Sequence, residues 1–475
     1  MTPRAWVVVA GVVAMACVTN PATGRRQMNL LSEAEEIALG RESDKQVRAE
    51  MGVYRDAGWQ AYVSRIGLAM AKKSHRPNLP WSFAVIDAAA VNAFAIPGGF
   101  VYITRGILPF LRSEAELANV IGHEIAHVTA LHGASAYTRQ QLFGAGVGLG
   151  RVLAPDKYQG ALGAAEGALG LLYLKYGREA ELEADRFGVG YAAGAGWDPE
   201  GMVGLLSTLG RLSDAAGSRR GVPNFLSTHP LPDDRIEAVR AVADAARGPG
   251  ARTVNASELT GRLPGLVWAD SREQGIVRGQ EFLHPILRIA LQFPAGWQIA
   301  NGATQVVAQP GDQAQAAMVL QAVPGASGSP AQVARAKMTE AGYVETEGGD
   351  TTINGLRAHV GIYMGEGQAV QAAFITSGSQ TYVLAGLAAL EAFAGARRLF
   401  ETTIRSFRPL TQAQADRIQP YRIGQYTVRG GDTWASIAAS ASAGDDSAST
   451  LAIMNGALPD SMPPAGSRIR VVTGG

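Results

Sequence analysis

The chain has 475 residues, room for about three domains, and 47% hydrophobic with 17% charged residues is ordinary globular composition. Its 42 basic and 41 acidic residues leave a net charge of +1, which gives no electrostatic basis for nucleic acid or an anionic surface as the main partner. Cys17 is the single cysteine, which excludes an internal disulfide.

From the amino terminus, residues 1–17 read as an export signal. Arg4 supplies a positive n-region, Ala5 to Ala16 is apolar but too short to span a bilayer, and Ala14-Met15-Ala16-Cys17 approximates a lipobox whose cysteine is lipidated after cleavage. Met15 and Ala14 depart from the commoner lipobox residues, and Val18 in place of an aspartate points to outer-membrane sorting. Val91 to Thr104 reads as two short strands around Pro97-Gly98-Gly99. The second, Phe100-Val101-Tyr102-Ile103, is either an exposed edge to which an extended substrate adds by main-chain hydrogen bonds or an ordinary hairpin.

Ser113 and Glu116 form a capping box ahead of Leu117, Val120, Ile121, Ile125 and Val128 at helical spacing, and Gly133 offers a stop. That helix carries His123-Glu124-Ile125-Ala126-His127. Residues four apart share a helix face, so both imidazoles reach one Zn²⁺ while Glu124 points toward the water that a catalytic zinc holds in its open position. One more protein ligand is needed. His132 lies five residues beyond His127, roughly 140° around an ideal helix, and reads as a polar helix-end residue. Glu181 is the better candidate: it shares a helix face with Asp185, so Glu181 can bind the metal while Asp185 holds the free ring nitrogen of a ligating histidine. An acidic helix face alone is ordinarily solvated surface, but beside the first motif it completes a two-histidine, one-glutamate site. Zinc lowers the pKa of its water and polarises a scissile carbonyl, so Glu124 takes a proton as general base and passes it to the leaving amine; peptide hydrolysis follows.

Between the two motifs, Leu142 to Leu172 is rich in Gly, Ala and Leu but interrupted by Arg151, Asp156, Lys157 and Glu166, and reads as helical elements covering the site. Its Gly144-Gly146-Gly148-Gly150 spacing lacks the strand and lysine of a phosphate loop. Asp198-Pro199 starts a helix through Leu212, His229 before Pro230 is a loop residue, and a last helix ends near Gly248. After a Gly- and Pro-punctuated linker, residues of about 278 to 409 alternate as strands, with helices around Pro330 to Ala341 and Leu390 to Thr403. They show no catalytic cluster; His284 and His359 are isolated. Near the carboxyl end, Asp432 is placed to cap a helix to Ser440.

Several motifs resemble the CAAX-prenyl-protease-like gluzincin metallopeptidases, in their soluble branch of bacterial envelope lipoproteins. They are Asn20-Pro21 with Thr23-Gly24-Arg25-Arg26-Gln27, Asn92 to Gly99, the HEIAH helix, the Glu181 to Asp185 helix, and Thr228-His229-Pro230 followed by Arg235-Ile236, over roughly residues 20 to 245. The resemblance implies zinc on His123, His127 and Glu181, Glu124 as base, His229 as a fourth ligand or switch over the metal, and Arg235 close to the active site. The middle segment is similar to a PsbP-like α+β sandwich. Tyr426 to Trp434, Leu451 to Asn455 and Arg468 to Val472 resemble the strand-helix-helix-strand LysM module, which implies peptidoglycan as a partner; the long Ala441 to Thr450 connection departs from that pattern.

The expected architecture is multidomain: signal peptide 1–17, a mainly α-helical zincin domain with a small sheet at 18–262, an α+β PsbP-like domain at 275–410, and a βααβ LysM-like domain at 420–475. The expected protein is a zinc metalloendopeptidase on the periplasmic face of the outer membrane, lipid-anchored through Cys17, acting on misfolded or maturing envelope proteins. Two alternatives stand beside it: a peptidase of peptidoglycan cross-links, and a latent protease domain serving as an assembly scaffold.

Overall fold

The computed structural model describes residues 17–139, 176–216, 224–231, 234–248, 253–311, 315–440 and 448–475. The expected signal up to Ala16, the stretch from Leu142 to Leu172 and most of the 441–450 connection lie outside the described residues. The chain is a multidomain α+β protein with several sheets, in two compact units: residues 1–266 with 422–473, and residues 267–421 with 474–475.

In the first unit, a hairpin of β1 (Cys17–Thr19) and β2 (Arg26–Met28) precedes helices α1 (Glu33–Met51) and α2 (Ala57–Ala71). Three strands follow: β3 (Ser82–Ile86), β4 (Ala93–Ile96) and β5 (Phe100–Thr104). Their order in the sheet is β3-β5-β4, with β5 parallel to β3 and antiparallel to β4. Phe100, Val101 and Tyr102 are therefore in the central strand, not at an exposed edge: both main-chain sides are paired and every residue of β5 is buried. Among the described residues β4 and β3 are the edges of this sheet, and β3 is bridged to Val53. The Pro97-Gly98-Gly99 turn packs on α1, where a Cβ at Gly98 would lie 2.9 Å from the Glu36 carbonyl oxygen, and the turn has φ +86° at Gly98 and +100° at Gly99.

Helix α3 (Glu114–Thr129) is buried along its whole length, which its sequence permits because each polar residue away from the histidines has a partner. Glu114 accepts from Arg65, Trp197 and Asn255, and the Asn119 amide donates to the Ala115 and Asp198 carbonyls. Ser113 caps the helix through the Glu116 N–H, but the capping box is not reciprocal: the Glu116 carboxylate turns to the Arg112 N–H and guanidinium. The helix also stops earlier than Gly133. Thr129 is its last residue, Leu131 adopts φ +56°, and residues 132–139 form a separate helix, α4.

Next come α5 (Arg178–Gly194), α6 (Gly201–Ala216), the short α7 (Asn224–Thr228) and α8 (Arg235–Ala246). Helices α3 and α5 touch backbone to backbone. A Cβ at Gly122 would sit 2.6 Å from the Gly188 carbonyl oxygen, and one at Gly188 would sit 2.6 Å from the His123 nitrogen. At the carboxyl end, strand Tyr421–Thr427, helices Trp434–Ser440 and Ala448–Met454, and strand Arg468–Gly474 run in that order, with the two strands adjacent in one sheet. Thr433, not Asp432, caps the first of these helices by accepting from the Ser436 N–H; Asp432 accepts from Tyr426 and the Arg429 N–H instead. Arg470 donates to the Pro109 and Leu111 carbonyls at 2.7 and 2.8 Å, which pins this segment to the turn before α3.

The second unit is built on an antiparallel sheet of seven strands among the described residues, with helices Pro330–Glu340 and Leu390–Ser406 packed on it. One of its edge strands, Val344–Ile353, has nine of its ten residues exposed, so no hydrophobic alternation marks it. His359 is not isolated, since its ring lies between Asp350 and Glu345. Among the described residues no helix is long and apolar enough to cross a membrane.

The α3–α5 contact sets a stability test. Gly188→Ala drives a methyl into the backbone of α3 and is expected to destabilise the chain by about 1–3 kcal/mol in urea unfolding. Gly190→Ala on the same helix meets nothing within 4 Å and should be neutral or stabilising; equal effects of the two would refute the close-contact reading.

Candidate metal centre

Helical spacing puts His123 and His127 on one face of α3, and the α3–α5 contact brings Glu181 and Asp185 against that face. The loop after α7 adds His229. Ligand-type atoms of His123, His127, Glu181 and His229 all lie within 4.8 Å of one another, and all four residues are buried. The Nε2 atoms of His123 and His127 are 3.0 Å apart, and His229 Nδ1 is 3.3 Å from His123 Nε2 and 3.0 Å from Glu181 Oε1. Glu181 oxygens stand 3.6 and 3.5 Å from the Nε2 atoms of His123 and His127. Tetrahedral zinc ligands at 2.0–2.1 Å from the metal are separated by about 3.3 Å, so this donor set and spacing fit zinc.

Electrostatics agree with the donor geometry. Burial opposes ionisation of Glu181, yet the charge of His229 and hydrogen bonding from His123 hold its carboxyl well below the ordinary glutamate value. His127 is pushed well down by burial and by His123 beside it. Burial works against protonation of His123 as well, but Asp185 and Glu181 raise it to about 9; a bound cation competes with that proton. Glu124 is pushed up by burial, which moves it toward the range of a working base, and its Oε1 is buried with no hydrogen-bond partner among the described residues. His229 Nε2 is the nearest cationic-type group to that oxygen, at 3.6 Å.

Asp185 and Arg235 contact the clustered donors. Asp185 Oδ1 lies 2.9 Å from His123 Nδ1, though out of line for a full hydrogen bond. Arg235 clasps both Asp185 oxygens at 2.8 and 2.9 Å, reaches Glu181 at 2.9 Å, and donates to the His229 and Pro230 carbonyls. One buried guanidinium thus ties the α5 carboxylates to the loop that carries His229.

Sequence reasoning placed these residues and missed others. Tyr176 stacks on His127 with ring centroids 4.1 Å apart, and Phe225 stacks on His229 at 4.5 Å. His132 returns to His127 across a turn that the ideal-helix geometry did not contain. No local pattern marks Tyr176, whose partner is far away in the chain, whereas Phe225 lies four residues before His229, a spacing that puts the two rings on one helix face.

Residues 59–243 match Peptidase family M48, and the matched segment contains every member of this cluster. The "Beta-barrel assembly-enhancing protease" of Escherichia coli (strain K12) is 29% identical over 246 residues, covering 50% of this chain and 50% of that protein. The "Mitochondrial metalloendopeptidase OMA1" of Arabidopsis thaliana is 30% identical over 210 residues, covering 44% of this chain and 40% of that one. The chain spans about half the length of the curated relatives it matches. A solution structure of cyanobacterial PsbP from Synechocystis sp. PCC 6803 aligns with 28% of the chain and 95% of its own at 13% identity, with a TM-score of 0.24, too low to argue from. The cluster of His123, His127, Glu181 and His229 lies in the segment that is similar to this family and could hold a zinc ion.

The ligand and base roles separate experimentally. Glu124→Gln is expected to keep one zinc per chain, because Glu124 is not among the clustered donors. His123→Ala, His127→Ala and Glu181→Ala should each lose zinc at least tenfold in affinity or entirely; retained zinc in all three, measured by atomic absorption after dialysis, overturns the site.

Proposed function

We propose that the protein is a zinc metalloendopeptidase of the bacterial envelope that cleaves misfolded or maturing envelope proteins. The observation that carries this reading is the convergence of His123, His127 and Glu181, with the buried Glu124 Oε1 beside them and no hydrogen-bond partner for it among the described residues. Bound there, zinc would supply Lewis-acid polarisation of a scissile carbonyl and a more acidic water. Glu124 then takes the proton from the attacking water and delivers it to the departing amine. Asp185 and Arg235 hold His123 and Glu181 in place. The edge strand β4 packs beside α3, so an extended substrate can pair with its free side; β5 cannot serve, being paired on both.

His229 supports latency in the same site. Its Nδ1 stands where a fourth ligand belongs, and its Nε2 faces Glu124, so in this arrangement the loop fills the position the attacking water needs. Glu124→Gln should abolish cleavage of unfolded outer-membrane protein by the purified chain; cleavage of muropeptides and not of protein would favour the cross-link peptidase instead. His229→Ala should raise proteolysis while zinc stays at one per chain. A loss of about a hundredfold or more in rate would instead make His229 a transition-state donor and remove the latch.

The finer placement rests on sequence. The lipobox-like Ala14 to Cys17 supports a lipid anchor on the periplasmic face of the outer membrane, and the strand-helix-helix-strand order of the carboxyl segment supports a LysM-like peptidoglycan contact. The alternation of strands and helices in residues 275–410 supports the PsbP-like assignment. Cys17→Ala is expected to block lipid labelling and shift the protein from membrane to soluble fractions; unchanged labelling sinks the anchor.

A further inference from the structure

We propose that His132 and Glu183 form a positioning relay for His127, built by the strained turn at Leu131, and that this relay tightens the zinc site. It rests on the zinc reading above. His132 Nδ1 lies 3.0 Å from His127 Nδ1, and His132 Nε2 lies 3.2 Å from Glu183 Oε2. His132 is buried, so these contacts exclude water from the outer side of the His127 ring.

Three features make the contact a built one. An uninterrupted helix would carry His132 roughly 140° around the axis from His127. Leu131, a residue with a Cβ, instead adopts φ +56°, a left-handed conformation that bulky side chains avoid, and the chain re-enters a helix at His132 with its ring turned back onto α3. The turn is then clamped from a distant part of the chain: the Asn20 amide donates to the Ala130 carbonyl at 2.8 Å, and Gln27 donates to the same oxygen at 3.3 Å. Asn20 is itself buried. Strain that the surroundings hold in place is characteristic of functional sites.

The proton arrangement follows from the partners. Glu183 accepts, so His132 presents Nε2–H to it and leaves Nδ1 as an acceptor. His127 then donates Nδ1–H, and its Nε2 lone pair faces the cluster, as a metal ligand requires. The two histidines of the motif are thus supported differently: His123 by Asp185 with Arg235, His127 by His132 with Glu183.

The test measures zinc affinity of the full chain by competition with a fluorescent zinc chelator, together with far-ultraviolet circular dichroism of the metal-free protein. His132→Phe, which fills the space but cannot accept, is expected to weaken zinc binding about 10- to 100-fold with the metal-free spectrum unchanged. His132→Asn places an oxygen near the former Nδ1 and should recover most of that loss. Glu183→Gln should weaken binding alone but add nothing on top of His132→Phe, the non-additivity expected of one connected chain. Should His132→Phe fail to fold, Glu183→Gln decides, since it keeps the shape of the side chain and is expected to weaken binding by itself. Unchanged affinity in folded His132→Phe, or in Glu183→Gln where His132→Phe does not fold, while the wild type binds zinc overturns the relay only; a wild type that binds no zinc overturns the zinc reading and the relay with it.

Discussion

Everything at the metal centre depends on two helices meeting with no side chain between them. Gly122 and Gly188 let α3 and α5 approach until a Cβ on either would overlap the other's backbone. At that separation the imidazole of His123, the residue after Gly122, meets the carboxylates of Asp185 and Glu181, about one and two turns before Gly188. Helices held apart by ordinary side chains pack at 8–10 Å between axes, and short carboxylate and imidazole side chains would then be poorly placed to share one ion. Interiors pack too densely to absorb such a change.

The second constraint is charge. Glu124, Glu181, Asp185 and Arg235 are all buried, and an unpaired charge in such a place costs several kcal/mol. Arg235 offsets this by serving both carboxylates of α5, and because its remaining N–H groups reach the His229 and Pro230 carbonyls, the loop is held by the same guanidinium. The Asp185 pair uses Nε and Nη2 of Arg235, while Nη1 serves the loop carbonyls and Glu181, so the loop and the α5 carboxylates share one guanidinium.

Rigidity comes from outside the site. Arg76 pairs with Glu36 at 2.8 and 3.0 Å and donates to the Val128 carbonyl, while Glu36 also accepts from Gly98, so the end of α3, helix α1 and the β4–β5 turn share one buried ion pair. The amino-terminal hairpin adds Asn20 and Gln27 on the Ala130 carbonyl. Helix α3 is left with no exposed face, so its histidines are oriented by packing before any metal arrives.

By itself the sequence determined what helical periodicity determines: the shared face of His123, Glu124 and His127, the pairing of Glu181 with Asp185 four residues on, and the larger strands and helices of residues 275–410. These are local relations, and a 3.6-residue repeat encodes them directly. The tertiary structure decided what distant residues do to one another. β5 became central because β3 and β4 both pair with it; the polar edge strand Val344–Ile353 exists only by pairing with its neighbour. Glu116 left its cap for Arg112, and Leu131 was forced into a left-handed turn held from Asn20, which brought His132 back to His127. Strand order, charge pairing and a clamped strained turn depend on which segments are neighbours in space, and local spacing does not record that.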